Sequence, residues 1–299
     1  PDVMFVSPGS GTISKIEFGP RRVVDLIEIN LDGLSSHDDV FTTPTIESLC
    51  KSGLFSYIRQ RPFSRIPNPK KLPKSIFISA MPTSPYSIDY NFLYSRDTLS
   101  SDIGYRINDE HNIFLQKGID ILSKICNCPI NFSSNAKNTN QFRKLSNVNH
   151  YMINDLHPAG NVGVQIHKID PIKNANDIVW YLSLQDLYRI GLYFIQERYP
   201  NYKYYAVGGA NLNNPKYIKA LIGTQISYFL NKENVDDCRI ISGDLLSGRM
   251  TTIDNSFDYF DDVLSVIKEN NERNFLGWLG PGIKDFTMSK TFASSLLGY

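Results

Sequence analysis

The stretch Ile178-Val-Trp-Tyr-Leu-Ser-Leu-Gln-Asp-Leu-Tyr-Arg-Ile-Gly-Leu-Tyr-Phe-Ile-Gln196 decides the fold class of this chain. Its first residues, 178–182, are apolar or aromatic and predict a buried strand. From Leu184 onwards the apolar residues recur at helical spacing, which predicts a helix that ends at Gln196. A strand that leads directly into a helix is typical of an α/β layer with a largely parallel sheet.

The same alternation of strand and helix extends towards the amino terminus. A one-sided apolar pattern predicts a helix over 110–126, and a further helix is predicted over 44–58, with Thr43 as N-cap and Pro44 at its first position. Short apolar runs predict three more strands, at 75–80, 129–132 and 151–153. The sequence therefore predicts a multi-domain α/β protein.

After residue 200 the pattern changes, and we place a domain boundary there. A strand at 204–209, a polar turn, a strand at 217–222 and a short helix at 225–230 follow one another. This order is the start of a ubiquitin-like β-grasp, and residues 239–243 can supply a third strand.

The amino-terminal residues, Pro1 to Ile16, predict a strand, a Pro8-Gly-Ser-Gly11 turn and a second strand, and a hairpin that turns at Gly19-Pro20 follows. The pattern resembles half of a biotinyl/lipoyl-like barrel sandwich. We therefore expect a partial barrel-sandwich domain here, and a chain that is a piece of a larger protein. No lysine occupies the turn, so we expect a fixed module rather than a carrier of biotin or lipoate.

Composition argues against several classes of function. The 299 residues carry a formal net charge of +1 and are 41% hydrophobic, which gives no electrostatic argument for binding nucleic acid or an anionic membrane. The cysteines lack the spacing of a zinc or iron–sulfur site, so we expect reduced, buried thiols. They are Cys50, Cys126, Cys128 and Cys238. The most apolar long window, 178–195, contains charged residues and is too polar to span a bilayer.

The segment His157-Pro-Ala-Gly-Asn-Val-Gly-Val-Gln-Ile-His167 is the first of three patterns that can carry chemistry. Gly160 and Gly163 allow a close approach of the backbone to a ligand. The two histidines can exchange protons near neutral pH. The structural alternative is a loop that enters a strand, with His157 capping it and His167 on its surface.

The second pattern is the basic, proline-broken stretch from Arg59 to Lys71, which can bind phosphate, carboxylate or a quinone carbonyl. Its prolines exclude a regular helix and a central strand, and the structural alternative is a solvated connector. The third pattern, 275–282, is either an exposed aromatic contact surface or a strand and turn anchored by Trp278. A nearby acidic group at 258–262 is expected to be a solvated face.

Eight segments, taken in order, resemble the A subunit of the sodium-translocating NADH:quinone oxidoreductases (Na+-NQR), and the resemblance covers nearly the whole chain. The segments are Ser7–Gly11, Arg61–Pro67, Ser75–Ala80, His157–Gly160, Gly163–His167 with Asp170-Pro171, Val179-Trp180 with Gln185-Asp186, Arg239–Arg249, and Phe275–Trp278 with Pro281-Gly282.

The resemblance implies a domain plan. Residues 1–32 would be a partial barrel-sandwich domain, 33–73 a linker, helix and basic loop, and 74–200 a Rossmann-like α/β domain. Residues 201–285 would be an SLBB-like β-grasp, and 286–299 would lead into a carboxyl-terminal helical domain. By this comparison the chain lacks the start of the first domain and the helical domain.

The resemblance also implies a function. The chain would be a peripheral subunit on the cytoplasmic side of the bacterial inner membrane, without a membrane span of its own. Its partners would be the other subunits of a six-subunit respiratory complex that passes electrons from NADH to ubiquinone and exports sodium. Related flavin-binding subunits carry a glycine-rich loop and grouped cysteines. Here Arg61–Pro67 stands in the place of that loop, so we expect prolines and Phe63 to block the flavin pocket.

We therefore expect no cofactor on this chain, with NADH, flavins and the iron–sulfur cluster held by other subunits. Quinone binding, with ubiquinone as substrate, is the role that the resemblance leaves to it. The residue types suit quinone carbonyls at six candidate positions, which are Arg59, Arg61, Phe63, His157, Gly160 and His167. Two alternatives stay open: a non-catalytic scaffold that docks the membrane subunits, and a residual flavin- or nucleotide-binding module.

Overall fold

The computed structural model describes residues 2–33, 40–95, 110–135, 142–231 and 233–269, together with 271, 277–283, 285, 287 and 289–296. The described residues fall into two units, Pro1–Ile267 and Lys268–Tyr299, and the first contains three sheets. No helix within the described residues is long and apolar enough to cross a membrane.

The regular elements follow the chain in this order. The strands are β1 (Gly11–Phe18), β2 (Val24–Leu31), β3 (Arg59–Arg61), β4 (Ser75–Ser79), β5 (Ile130–Asn135), β6 (Asn149–Ile153), β7 (Val179–Ser183), β8 (Tyr202–Gly208), β9 (Lys216–Leu221), β10 (Cys238–Ser242), β11 (Arg249–Thr251) and β12 (Val263–Lys268). The α-helices are α1 (Ile46–Lys51), α2 (Tyr90–Ser95), α3 (Glu110–Cys126), α4 (Val162–Ile169), α5 (Leu184–Gln196) and α6 (Ile226–Phe229). Single 3-10 turns lie at Pro20–Arg22, Leu54–Tyr57, Gly277–Leu279 and Ala293–Leu296.

The first large sheet has the strand order β3-β7-β4-β5-β6. Strands β7, β4, β5 and β6 run parallel to their neighbours, and only β3 runs antiparallel. The predicted, largely parallel sheet is therefore confirmed. Strand β3 lies at the edge, which suits a proline-rich segment because an edge strand can spare backbone donors.

Helices cover both faces of this sheet. On one face α3 and α5 pack over a core that includes Ile78 and Trp180, both fully buried. A Cβ at Gly191 of α5 would overlap the carbonyl oxygen of Phe114, so the close approach of α3 and α5 needs glycine there. On the other face α4 packs over Phe77 and Val179. The helices predicted over 110–126 and 184–196 are confirmed.

Two predictions about local structure are wrong in this layer. The helix predicted over 44–58 is only α1, and Thr45 caps it instead of Thr43: the Ser48 backbone N–H donates to Thr45 Oγ1 at 3.0 Å. Gly53, with a φ of +74°, ends the helical path before a 3-10 turn. The loop expected to enter a strand after His157 enters helix α4 instead, because Val162, Ile166 and Ile169 share a helical face against the sheet.

The second large sheet has the order β11-β10-β12-β8-β9. Strands β8 and β9 form an antiparallel hairpin, and α6 follows it, as predicted. Strand β12, which pattern analysis did not predict, lies in the centre and runs parallel to β8. The core of this domain includes Tyr205, Phe229 and Phe257.

The amino-terminal sheet is the antiparallel pair β1–β2, whose pairing includes Ile13 with Ile29. The strand predicted before the Pro8–Gly11 turn is absent from the described structure. That segment lies along the body of the chain instead, where the Met4 backbone N–H donates to the Cys50 carbonyl at 3.1 Å. The turn is held by a hydrogen bond from Asn201 Nδ2 to the Pro8 carbonyl at 2.8 Å.

The second unit is described only in part. Residues 277–279 form a 3-10 turn, so the strand expected across 275–282 is wrong for the portion that the structure describes. Phe275 and the side chain of Trp278 lie outside the described residues, as do positions 34–39 of the expected linker. The Ala293 backbone N–H donates to the Pro281 carbonyl at 2.8 Å.

Candidate functional site

The basic stretch begins as a closed turn at the sheet edge, here called the Phe63 turn (Arg61–Arg65). The Gln60 backbone N–H donates to the Arg65 carbonyl at 2.7 Å, which closes the turn just after β3 begins. Phe63 lies at the tip and its side chain is 79% exposed. The expectation that Phe63 fills a former flavin pocket is therefore wrong, because its side chain is largely exposed and is not packed among residues of this chain.

Ser64 holds the Phe63 turn in place through both its backbone and its hydroxyl. Arg59 Nε donates to the Ser64 carbonyl at 2.5 Å, and Arg61 Nη1 donates to Ser64 Oγ at 2.9 Å. The Tyr181 hydroxyl, from the neighbouring strand β7, also donates to Ser64 Oγ at 3.0 Å. The turn is thus fixed to the sheet by side chains, although its tip is exposed.

Arg59 and Arg61 face different surroundings. The Arg59 guanidinium carbon lies 3.6 Å from the ring centroid of Phe260, and burial lowers the pKa of Arg59. Arg61 instead reaches the start of α4, where a Cβ at Gly163 would overlap its Nη2 atom. Of the two arginines, Arg61 is the one that the fold brings to the His157–His167 segment.

The His157–Gly160 turn docks on the loop that follows β4. The Gly160 backbone N–H donates to Thr83 Oγ1 at 3.0 Å, and the same oxygen lies 3.3 Å from His157 Nδ1. A Cβ at Gly160 would overlap the Met81 carbonyl oxygen and would lie 2.6 Å from the Thr83 nitrogen. Gly160 is therefore needed for this contact, which lies beyond the carboxyl end of β4.

Gln165, which sequence reasoning missed, fixes α4 to this end of the sheet. Its side chain is buried, and Ser133 Oγ of β5 donates to its Oε1 at 2.7 Å. Its Nε2 donates to the Ala159 carbonyl at 3.1 Å. Gln165 thus joins the His157–Gly160 turn to β5. The sequence offers one signal for this role: Gln165 is the polar residue within the otherwise apolar run 162–166.

The structure brings together some of the six candidates and not the others. Arg61, Gly160 and His157 lie near the start of α4: Arg61 approaches Gly163, and Gly160 and His157 both contact Thr83 Oγ1. His167 lies on the exposed side of α4, about one helical turn beyond Gly163. Phe63 is at an exposed tip, and Arg59 faces Phe260.

A second polar cluster, here called the buried junction (Tyr57, Asp186, Arg189, Lys203 and Asp262), lies where helix α5 contacts the second large sheet. Arg189 is only 2% exposed, and its Nε and Nη2 atoms donate to the Pro200 carbonyl at 3.2 and 3.0 Å. Its Nη1 lies 3.3 Å from Asp186 Oδ1, and its guanidinium carbon is 4.2 Å from the Tyr57 ring centroid. Lys203, also 2% exposed, lies 5.2 Å from the same ring.

Asp262 ties the carboxyl-terminal sheet to α5. Gln185 Nε2 donates to Asp262 Oδ2 at 3.2 Å and to the Tyr204 carbonyl at 3.1 Å, while the Tyr204 backbone N–H donates to Gln185 Oε1 at 2.6 Å. Burial raises the pKa of Asp262 to about 6, even though the nearby Lys203 acts to lower it.

Asp261 beside it accepts a hydrogen bond from Ser242 Oγ at 2.8 Å, and burial raises its pKa. The solvated face expected for this acidic group is therefore wrong for Asp261 and Asp262, because the unpredicted strand β12 draws them into the domain junction. Asp258 is exposed and lies 3.5 Å from Arg249 Nη1.

Metal-binding groups are absent from the part of the chain that the structure describes: no three His, Cys, Asp or Glu side chains are placed to hold an ion. The cysteines are free thiols; Cys50 and Cys126 are buried, whereas Cys128 and Cys238 are half-buried.

Comparison with known sequences identifies two regions of the chain. The family described as "NqrA second alpha/beta domain" matches residues 43–199, and the family described as "NQRA C-terminal domain", an SLBB domain, matches residues 205–252. The first match covers α1, the parallel sheet and α3 to α5, and therefore includes Arg61, Gly160 and Gly163.

Curated relatives are named as the A subunit of Na(+)-translocating NADH-quinone reductase. The protein from Histophilus somni (strain 2336) is 29% identical over 317 residues, covering 100% of this chain and 67% of the relative. That from Pasteurella multocida (strain Pm70) is 29% identical, covering 97% and 65%, and that from Rhodopirellula baltica is 28% identical, covering 99% and 65%. The chain thus spans about two thirds of the length of these relatives.

Among solved structures, an NAD+-reducing [NiFe]-hydrogenase in the H2-reduced state superposes with a TM-score of 0.47 at 10% identity, covering 75% of this chain and 47% of that one. Nothing about function follows from a similarity at that level. The two family matches agree with the similarity to curated relatives, which extends over the whole of this chain, and the chain belongs to the NqrA family, the A subunits of Na(+)-translocating NADH-quinone reductases.

Proposed function

We propose that this chain is a peripheral subunit of a sodium-pumping respiratory NADH:ubiquinone reductase and that it contributes to binding quinone for reduction to quinol. It would work on the cytoplasmic side of the bacterial inner membrane, in contact with the other subunits, which would hold the NADH site, the flavins and the iron–sulfur cluster. The similarity to relatives named as this subunit, over 100% and 97% of this chain, supports the proposal.

We also propose a fold type for two of the domains. The parallel strands have the order β6-β5-β4-β7, with helices on both faces, which supports a Rossmann-like layer. In such sheets ligands bind outside the carboxyl ends of the strands, and the Thr83 loop follows the carboxyl end of β4. The exposed pair β1–β2 would be part of the barrel-sandwich domain.

The proposed quinone site rests on a contact between two motifs that are distant in sequence. Arg61 lies against Gly163, and the His157–Gly160 turn lies just before Gly163 in the chain. A quinone ring has two carbonyl oxygens, and its reduction needs hydrogen-bond donors at those oxygens and a source of protons. Arg61 supplies a permanent donor, and the imidazole of His157 supplies a group that can both donate and accept a proton.

We assign one tautomer to His157. Thr83 Oγ1 accepts the Gly160 backbone N–H, and we assign its own hydroxyl hydrogen to His157 Nδ1, which lies 3.3 Å away. With Nδ1 as acceptor, the neutral imidazole carries its hydrogen on Nε2. His157 Nε2–H is then the donor that we assign to one quinone carbonyl, and Arg61 is the donor that we assign to the other.

The test is a titration of the full chain with ubiquinone-1, followed by tryptophan fluorescence. We expect Arg61→Ala and His157→Ala each to weaken binding about tenfold, because each loses a hydrogen bond worth about 1–1.5 kcal/mol. Arg198→Ala, which changes an exposed arginine outside the motifs, should bind like the unchanged chain. Equal affinity in all four proteins would contradict the proposed site.

A non-catalytic scaffold is the second candidate, and the packing of the same motifs favours it. The space at Gly160 and Gly163 is filled by atoms of this chain, and Arg61 already bonds to Ser64. Both glycines would then be needed for folding alone. To separate the two roles, quinone reduction per flavin can be measured in the complex with and without this chain. An unchanged rate without it would favour the scaffold.

A further inference from the structure

The Phe63 turn has features that quinone binding does not use. Phe63 is 79% exposed, yet the backbone that carries it is held by the closing Gln60–Arg65 hydrogen bond and by three hydrogen bonds to Ser64. A large apolar side chain at the tip of a fixed turn loses little conformational freedom when it binds, so it is prepared for recognition.

The sequence that follows the tip is basic. Residues 59–74 contain six arginines and lysines and no aspartate or glutamate. Arg65, Lys70 and Lys71 are exposed, and no carboxylate among the described residues lies within ion-pair distance of them. The Arg65 guanidinium carbon lies 6.0 Å from the Phe63 ring centroid, so a positive charge borders the aromatic tip.

We infer that the Phe63 turn is a docking element, with Phe63 inserted into an apolar pocket on another subunit and acidic residues of that subunit around the pocket facing Arg65, Lys70 and Lys71. This inference rests on the proposed function, because it requires that the chain is part of a complex. Aromatic side chains in pockets, surrounded by charged rims, dominate the energy of many protein interfaces.

A protein partner fits these observations better than a lipid surface does. Stable attachment to a membrane needs an extended apolar face or two anchoring signals. The turn offers one aromatic side chain, and its rigidity is an advantage in a shaped pocket rather than in fluid lipid. Burial of the Phe63 side chain in such a pocket removes apolar surface from water, which favours association.

The test uses the assembled complex, purified through an affinity tag on the full chain and analysed by quantitative mass spectrometry of the subunits retained after dilution. We expect Phe63→Ala to lower the apparent affinity for the partner subunits at least tenfold, and Arg65→Glu to lower it several-fold with a dependence on salt. Leu72→Ala, which truncates another exposed apolar residue of the same stretch, is the matched control and should stay within twofold.

Three results would overturn the inference. The first is that the unchanged chain assembles normally and the Phe63→Ala chain retains its partner subunits to within twofold of it. The proposed function would then stand without the docking element. The second is an unchanged chain that retains no other subunit, which removes the proposed function as well. The third is binding to phosphatidylglycerol vesicles that Phe63→Ala abolishes while subunit retention is unaltered, which would assign the turn to lipid.

Discussion

The motif contact around Gly163 and the buried junction around Arg189 are built in opposite ways. At the motif contact, Arg61 of the Phe63 turn lies against Gly163, the His157–Gly160 turn is hydrogen-bonded to Thr83, and His157 and Phe63 remain exposed. At the junction, Arg189 and Lys203 are almost fully buried and are balanced by carboxylates and aromatic rings. The difference indicates that the junction sets the stability of the domain pair, whereas the motif contact is free to serve recognition.

Arg189→Ala should give the largest loss of stability. It removes the cation that faces Asp186 and Tyr57 and leaves the Pro200 carbonyl without two donors. We expect the free energy of unfolding in urea to fall by about 3–5 kcal/mol, as for other buried ion pairs that lose one partner. Arg198→Ala, at an exposed position in the same region, should change it by less than about 0.5 kcal/mol. Similar losses in both variants would mean that the junction does not set stability.

Asp262 should make the junction sensitive to pH. Its pKa is about 6 in the folded chain and about 3.9 when unfolded, so the folded state holds this proton more tightly. The free energy of unfolding therefore falls as pH rises from about 4 to about 6, by up to about 3 kcal/mol. Asp262→Asn should lack this slope, so its advantage over the unchanged chain should grow across that range. A constant difference from pH 4 to 7 would contradict the assignment.

Gly160→Ala should have an intermediate effect at the motif contact. The added methyl group would meet the backbone of Met81 and Thr83, which cannot move aside easily, so we expect a loss of about 1–3 kcal/mol. Gly163→Ala should cost less stability, because the obstructing atoms belong to the flexible end of Arg61. It should still weaken quinone binding by displacing that arginine. Both variants can be tested by urea unfolding and by quinone titration. An equal loss of unfolding free energy in the two variants would contradict the prediction, because it would show that the neighbours of Gly163 are as rigid as those of Gly160.

Ser64→Ala should give the smallest effect on stability. The variant keeps the backbone bond from Arg59 and loses the hydroxyl bonds of Arg61 and Tyr181, so we expect a loss of about 1 kcal/mol or less. Hydrogen exchange of the Phe63 turn should nevertheless become faster, since its side-chain anchor is gone. Unaltered exchange would show that the closing bond from Gln60 to Arg65 holds the turn alone.

The comparison also shows what the sequence could and could not reveal. The parallel sheet and the helices over 110–126 and 184–196 followed from apolar periodicity, because each pattern is local. The junction joins five residues from four separate segments of the chain, since only Asp186 and Arg189 share a helix, and no short sequence motif predicts such a cluster. Strand β12 was missed, and with it the partial burial of Asp261 and Asp262. Phe63 was assigned to a pocket from the resemblance, whereas the turn closed by Gln60 and Arg65 places it at an exposed tip.

The central claim is that the Arg61 and His157 motifs form one quinone site, and a double-mutant cycle tests it most directly. Quinone affinity would be measured for the full chain and for Arg61→Ala, His157→Ala and the double variant. We expect each single change to weaken binding about tenfold and the two to be coupled by at least about 0.5 kcal/mol, since both donors act on one ligand. Two single variants that bind ubiquinone-1 as tightly as the unchanged chain, or losses that add within about 0.3 kcal/mol, would contradict the claim.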